Sequence, residues 1–115
     1  MTAANLPLLI EQGATFKHAL AIEDDNGPVI LTGYTARMDI RPCPGSATLL
    51  HRLTTGNGGI SINGPAGEIT LTIPSAITAT FTWGRAEYDL LLTAPDNADD
   101  RLIEGPVTVK AGVTR

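Results

Sequence analysis

The chain has 115 residues, of which 43% are hydrophobic and 17% charged, and its formal net charge is −4. The length fits one domain spanning residues 1–115. The proportion of hydrophobic to charged residues excludes a disordered chain, because disordered chains are poorer in apolar residues and richer in charge. Fifteen Thr, twelve Gly and eight Pro residues disfavour helices and suit strands and turns, so the composition predicts an all-β protein.

The first half of the chain contains two segments in which apolar and polar residues alternate. In residues 14–23 one face carries the apolar stripe, which also includes a histidine: Phe16, His18, Leu20 and Ile22. A turn at 24–28 and a short apolar piece at 29–31 follow. Residues 34–41 then place Ala36, Met38 and Ile40 on one face, and the two prolines in 42–45 end that segment. Period-two alternation predicts half-buried strands.

The second half repeats this pattern at spacings of roughly 8 to 12 residues. Strands are predicted at 49–53, 60–62, 68–73, 85–93 and 102–110, with a hairpin joining 60–62 to 68–73. Ser75 is expected to cap one helical turn within 76–81, and the Gly105–Pro106 pair indicates a bulge or an edge position. About eight strands with turns between them predict an antiparallel sandwich, although a small barrel gives a similar pattern.

Partners of several classes are disfavoured by the same composition. The eight basic residues are scattered, so no run of them follows a phosphate backbone and no nucleic acid partner is expected. The apolar runs fall far short of the 18 or more residues of a membrane span, so no membrane contact is expected. The N-terminus lacks the basic and apolar regions of a signal peptide, which predicts synthesis in a bacterial-type cytoplasm.

Catalytic and metal-binding patterns are not found in the sequence. Cys43 is a lone cysteine between prolines, and no Gly-x-Ser-x-Gly motif surrounds a serine. His18 and His51 lack the spacing of zinc ligands. The acidic clusters, Asp24–Asp25 and Asp96 with Asp99–Asp100, lack the alternate spacing of a calcium loop. The sequence therefore predicts no enzyme activity, no metal and no cofactor.

A family resemblance rests on several segments taken in order. They are Ile10–Phe16, an acidic Asn-Gly-Pro turn at 25–28, Leu31–Arg41 with its Leu-Thr-Gly-Tyr-Thr opening, Gly67–Ile73, Tyr88–Leu90, Arg101–Val109 and Val113–Arg115. Together these resemble a family of small bacteriophage virion proteins that look like the immunoglobulin-like modules at the N-terminal ends of baseplate and receptor-binding proteins. The resemblance implies an immunoglobulin-like antiparallel β-sandwich of about eight strands with one short helical turn.

The function that the resemblance implies is structural. We expect a virion protein of a tailed phage, made in the host cytoplasm and present in several symmetric copies. It would act as a tail or baseplate adaptor that holds a fibre or a neighbouring tail subunit, so its partners would be other virion proteins. Residues 6–10 and 111–115 are the candidate contact segments, since Pro7 suits an edge or an arm. The alternative is that they are simply the first and last strands of the sandwich. The contact residues chosen from them are Leu6, Leu8, Leu9, Ile10, Val113, Thr114 and Arg115.

Two other functions remain open from the sequence. A head decoration protein that clamps capsid subunits would show the same small β pattern. A glycan-binding module would need exposed aromatic rings, for which Tyr34 and Trp83 are the candidates. Aromatic residues make up only 4% of the chain, which counts against glycan binding because sugars are usually held on such rings.

Overall fold

The structure is a computed structural model that describes residues 4–114. In this range it has eleven strands and one helical turn, and eight of the strands have four residues or more. Seven of these eight lie where the sequence predicts strands, the eighth is Leu8–Glu11, and the apolar piece at 29–31 forms no strand. The elements are β1 (Ala4–Asn5), β2 (Leu8–Glu11), β3 (Phe16–Ala21), β4 (Glu23–Asp24), β5 (Gly27–Pro28), β6 (Thr35–Arg41), β7 (His51–Thr54), β8 (Ile60–Asn63), β9 (Glu68–Ile73), α1 (Ser75–Thr78), β10 (Arg85–Thr93) and β11 (Asp99–Lys110).

Two sheets pack face to face as a β-sandwich, which confirms the predicted fold class. The larger sheet has the order β1-β11-β10-β6-β7, with β2 also paired to β11. The smaller sheet has the order β3-β9-β8, and β4 and β5 form a separate two-stranded hairpin. The predicted hairpin between residues 60–62 and 68–73 is the pair β8 and β9.

The core lies between the sheets and follows the predicted alternation. In β10 every second residue is buried, and in β6 the buried positions are Ala36, Met38 and Ile40. In β3 only Phe16 is fully buried, while His18 and Leu20 are half-buried. The period-two pattern therefore identified the inward face of these three strands correctly.

The first strands of the chain depart from the antiparallel prediction. β1 and β2 both run parallel to β11, with Ala4 opposite Ile103 and Leu8 opposite Val107. Alternation records which face of a strand is buried and carries no information on the direction of its neighbour. The sandwich is therefore antiparallel except at this edge.

The predicted bulge is displaced along β11. Leu90 pairs with Ile103 and Leu91 with Arg101, so the extra residue of the bulge is Leu102. Pro106 lies inside β11, which is flanked by β10 on one side and by β1 and β2 on the other. Gly105–Pro106 is thus neither a bulge nor an edge position.

Pro106 is accommodated by a tyrosine from the next strand. The parallel register places Leu6 opposite Gly105, and the Leu6 N–H donates to the Glu104 carbonyl at 2.8 Å. The Leu6 carbonyl would next accept from the N–H of residue 106, which proline lacks. The Tyr88 hydroxyl donates to the Leu6 carbonyl instead, at 2.6 Å. Tyr88, which lies 82 positions from Leu6 in the sequence, therefore supplies the hydrogen bond that Pro106 cannot donate to the Leu6 carbonyl.

The helical turn begins differently from the prediction. Pro74 occupies the N-cap position without a side-chain cap bond, and Ser75 is already helical, so the Ser75 cap is wrong. The turn is anchored by Thr78, which is fully buried. Its hydroxyl accepts from the Gly13 N–H at 3.1 Å and donates to the Ala14 carbonyl at 2.8 Å. Thr78 thus ties α1 to the turn between β2 and β3.

Replacing Thr78 with Val is expected to lower the free energy of unfolding by about 1–3 kcal/mol, because the Gly13 N–H and the Ala14 carbonyl lose their partner inside the protein. Urea unfolding followed by circular dichroism measures the change. The exposed Thr82 provides the matched control, since its replacement with Val is expected to stay within about 0.5 kcal/mol. Equal effects at the two positions would contradict the anchoring role of Thr78.

Candidate interaction surfaces

The segment chosen from the sequence as a contact arm is an edge strand. β2 pairs with β11 on one side, and within the described residues no strand pairs with its other side. Leu8 is 4% exposed and Ile10 0%, whereas Leu9 between them is 55% exposed. Leu8 and Ile10 are therefore corrected as contact residues, because their side chains fill the core. Leu6 is half-buried.

The backbone of β2 leaves specific polar groups at the free edge. The N–H groups of Leu6 and Gln12 donate into β11 at 2.8 and 2.9 Å, so even-numbered residues face β11. In a strand, the N–H and C=O of successive residues alternate between the two sides. Those of Leu9 and Glu11 therefore point away from the sheet, and Pro7 offers a carbonyl without an N–H.

A groove runs between the β2 edge and β3, the edge strand of the smaller sheet. Its volume is about 340 Å³, and Leu9, Glu11, Phe16 and Lys17 are among the residues that line it. Both sheets therefore present an unpaired edge on the same side of the sandwich. Such edges are templates for another strand.

The C-terminal segment is attached to this edge up to residue 112. The Gly112 N–H donates to Oε1 of Gln12 at 3.1 Å, and Nε2 of Gln12 donates to the Phe81 carbonyl at 2.9 Å. Beyond this bond Val113 is 95% exposed and Thr114 is also exposed. Arg115 lies outside the described residues. The contact role of this segment stays a prediction.

A second surface, on the outer face of the larger sheet, is polar. Asp39 accepts from Nε of Arg52 at 2.7 Å and from Arg41 at 2.9 Å. The hydrogen bond from Arg52 has the largest effect on the pKa of Asp39. Together with the bond from Arg41, it holds that pKa below its ordinary value, although partial burial acts in the opposite direction. Arg101 binds Asp89 at 2.9 Å. Exposed pairs of this kind contribute about 0–1 kcal/mol each, so they set the charge pattern of the face rather than its stability.

The candidate reactive residues are not assembled into a site. His18 stacks on Phe16, and the His51 ring lies 5.7 Å from that of Phe81. Burial lowers the pKa of His51. Cys43 is exposed in a loop. Among residues 4–114 no three His, Cys, Asp or Glu side chains are grouped so as to hold a metal ion.

The aromatic candidates for sugar binding pack against the protein. The Trp83 ring lies 5.0 Å from Phe81, and both Trp83 and Tyr34 are half-buried against the core. In the described part of the chain, no helix is long and apolar enough to cross a membrane.

Comparison with known families decides the relationship of the chain. The profile of the LtfC-like, beta-sandwich domain matches residues 2–110. The chain belongs to this family. No curated protein matches the chain. The LtfC-like family is associated with phage tail fibres, so the protein is a phage β-sandwich protein with a structural role related to the tail fibre.

Several residues that shape the LtfC-like domain were missed in the sequence. Tyr88, Gln12 and Thr78 each bind backbone groups 64 or more positions away. Tyr88 fits the apolar alternation of β10, and Thr78 lies in a Thr-rich segment, so neither stands out by type. Their roles follow from which segments meet in space.

Proposed function

We propose that this LtfC-like domain is a tail or baseplate adaptor that holds a fibre or a neighbouring tail subunit in the virion. It would occur in several symmetric copies and bind other virion proteins, without a cofactor or a catalytic role. Low charge supports this, because only 17% of the residues are charged and the centres of protein interfaces are depleted in charged residues.

The observation that carries the proposal is the meeting of the two predicted contact segments. The bond from Gly112 to Gln12 places the start of the C-terminal segment beside the end of β2. The β2 edge, with its free backbone groups and the exposed Leu9, and the C-terminal segment, with the exposed Val113, therefore meet at Gln12. An adaptor needs such a surface, since an edge offers hydrogen bonds and exposed apolar side chains offer burial.

The fold of the proposed adaptor is immunoglobulin-like. Immunoglobulin sheets contain strands A, B, E and D on one side and G, F and C on the other, with C′ added in variable domains. Here β3, β9 and β8 have the order B, E, D, and β11, β10, β6 and β7 have the order G, F, C, C′. This correspondence in strand order supports an immunoglobulin-like sandwich.

The proposal is tested by separating tails from heads in purified particles and measuring the chain in each fraction by quantitative mass spectrometry. We expect it in the tail fraction, at a fixed multiple of the tail symmetry. Recovery with the capsid shell would favour head decoration and overturn the adaptor role. Absence from both fractions would overturn any place in the virion.

A further inference from the structure

We propose that the β2 edge pairs with the β2 edge of a second copy of this chain, antiparallel and with Leu9 on the two-fold axis. The inference deepens the proposed function, because it names the partner of the contact edge. The two larger sheets would become one continuous sheet across the axis. Such a two-fold contact uses the same patch on both copies.

The free backbone groups are complementary to themselves in this register. Leu9 of each copy donates its N–H to the Leu9 carbonyl of the other, as in a hydrogen-bonded antiparallel pair. Two residues away, the Glu11 N–H meets the Pro7 carbonyl of the other copy, on both sides of the axis. The pairing therefore forms four hydrogen bonds.

The missing N–H of Pro7 leaves no group unpaired in this arrangement. It lies opposite the Glu11 carbonyl of the other copy, and that carbonyl already accepts from the Ala14 N–H at 3.1 Å. A proline in an edge strand normally discourages pairing, because a donor is absent. Here the N–H that Pro7 lacks would face the Glu11 carbonyl of the other copy, which already has a donor in the Ala14 N–H.

The side chains on the outer face are compatible with the same register. Leu9, 55% exposed in the single chain, lies directly across from Leu9 of the other copy, so each covers the other. Glu11 lies across from Pro7, so no two carboxylates oppose each other. Within each chain the register places Lys110 beside Glu11. Like charges opposed across strands would destabilise the pair, and none occur at these positions.

The size of the contact sets the expected strength. Stable interfaces bury about 1,200–2,000 Å² in total, and a five-residue edge pairing is smaller than that. We therefore expect weak association of the isolated chain, which a trapping experiment detects better than an affinity measurement.

Disulfide trapping tests the register directly. In a Cys43→Ser background, Leu9→Cys places two thiols on the axis, where the Cα separation of about 5.5 Å in a hydrogen-bonded pair suits a disulfide. The control is Ile30→Cys in the same background, since Ile30 is 66% exposed but lies outside β2. Under a glutathione redox buffer, the Leu9→Cys protein is expected to form a covalent dimer about tenfold faster or more.

A second variant separates pairing from mere exposure. Glu11→Pro, added to Leu9→Cys, removes the outward N–H that bonds to Pro7 and leaves the bonds to β11 in place. It is expected to slow cross-linking towards the rate of the control, while circular dichroism shows an unchanged fold. If it unfolds the protein, Glu11→Cys in the Cys43→Ser background replaces it. Glu11 is exposed on the same edge but lies opposite Pro7, so the two thiols would stand about 13 Å apart along the strands and cross-linking is expected to fall to the rate of the control. Cross-linking of Glu11→Cys as fast as that of Leu9→Cys would overturn the register.

Three further outcomes overturn the proposal. They are equal cross-linking of Leu9→Cys and Ile30→Cys, cross-linking that the folded Glu11→Pro variant does not slow, and cross-linking of Leu9→Cys in particles to a different virion protein. Failure here is distinguishable from failure of the adaptor role. A chain found in tails but monomeric under trapping overturns only the self-pairing, whereas a trapped dimer absent from particles overturns only the adaptor.

Discussion

Replacing Ile10 with Ala is expected to lower the free energy of unfolding by about 2–5 kcal/mol, as for other large-to-small changes in a core. Ile10 is 0% exposed between the sheets. The neighbouring Leu9→Ala variant is the matched control, since Leu9 is 55% exposed and its replacement is expected to stay within about 0.5 kcal/mol. Urea unfolding, followed by far-ultraviolet circular dichroism, measures both.

The comparison decides whether residues 8–11 are a strand of the sandwich or a detachable arm. Domains of this size are stable by about 5–15 kcal/mol, so the Ile10 effect would be a large share of the total. Small and equal effects of Ile10→Ala and Leu9→Ala would contradict the strand and favour an arm.

Replacing Tyr88 with Phe is expected to lower the free energy of unfolding by about 1–3 kcal/mol, because the carbonyl of the half-buried Leu6 loses its donor. The reason is specific to Pro106, which cannot supply an N–H. Pro106→Ala provides the test of that reason, since alanine restores the N–H opposite Leu6. In a Pro106→Ala background, Tyr88→Phe is expected to cost at least about 1 kcal/mol less. If Tyr88→Phe lowers the stability equally with Pro106 and with Pro106→Ala, the Tyr88 hydroxyl does not take the place of the N–H that Pro106 lacks.

The same tyrosine predicts a pH dependence. Burial raises the pKa of Tyr88 to about 12, from an ordinary value of 10.0. Tyr88 therefore ionises at a lower pH in the unfolded chain than in the folded one. The stability that depends on the neutral hydroxyl is complete below about pH 10 and is lost as the pH rises towards 12. Over that interval the natural chain is expected to lose about 2–3 kcal/mol more than Tyr88→Phe does. Parallel pH profiles of the two proteins would contradict the buried state of the hydroxyl.

The fold was predictable where the alternation of side chains carried the information. β6 and β10 lie in the middle of the larger sheet with one face in the core, so Met38, Ile40 and Leu90 marked their inward faces. The parallel edge was not predictable, because Leu8 and Ile10 alternate in the same way beside a parallel or an antiparallel neighbour. The position of the bulge was also missed, since it depends on the register between β10 and β11.

The candidate surface was predictable only as a segment. Pro7 pointed to an edge strand, and that is where residues 8–11 lie. Which atoms of the segment are free follows from the bonds of Leu6 and Gln12 to β11. Those bonds join positions about a hundred residues apart, and no local pattern reports them. Sequence reasoning therefore found the segment and could not separate Leu9 from the buried Leu8 and Ile10.

A density map of the intact particle would show whether the protein is a tail adaptor. We expect a sandwich of about 44 × 28 × 25 Å, repeated with the symmetry of the tail, with its β2 edge against a neighbouring chain. Density for the sandwich on the capsid shell, or copies in the tail whose β2 edge faces only solvent, would contradict it.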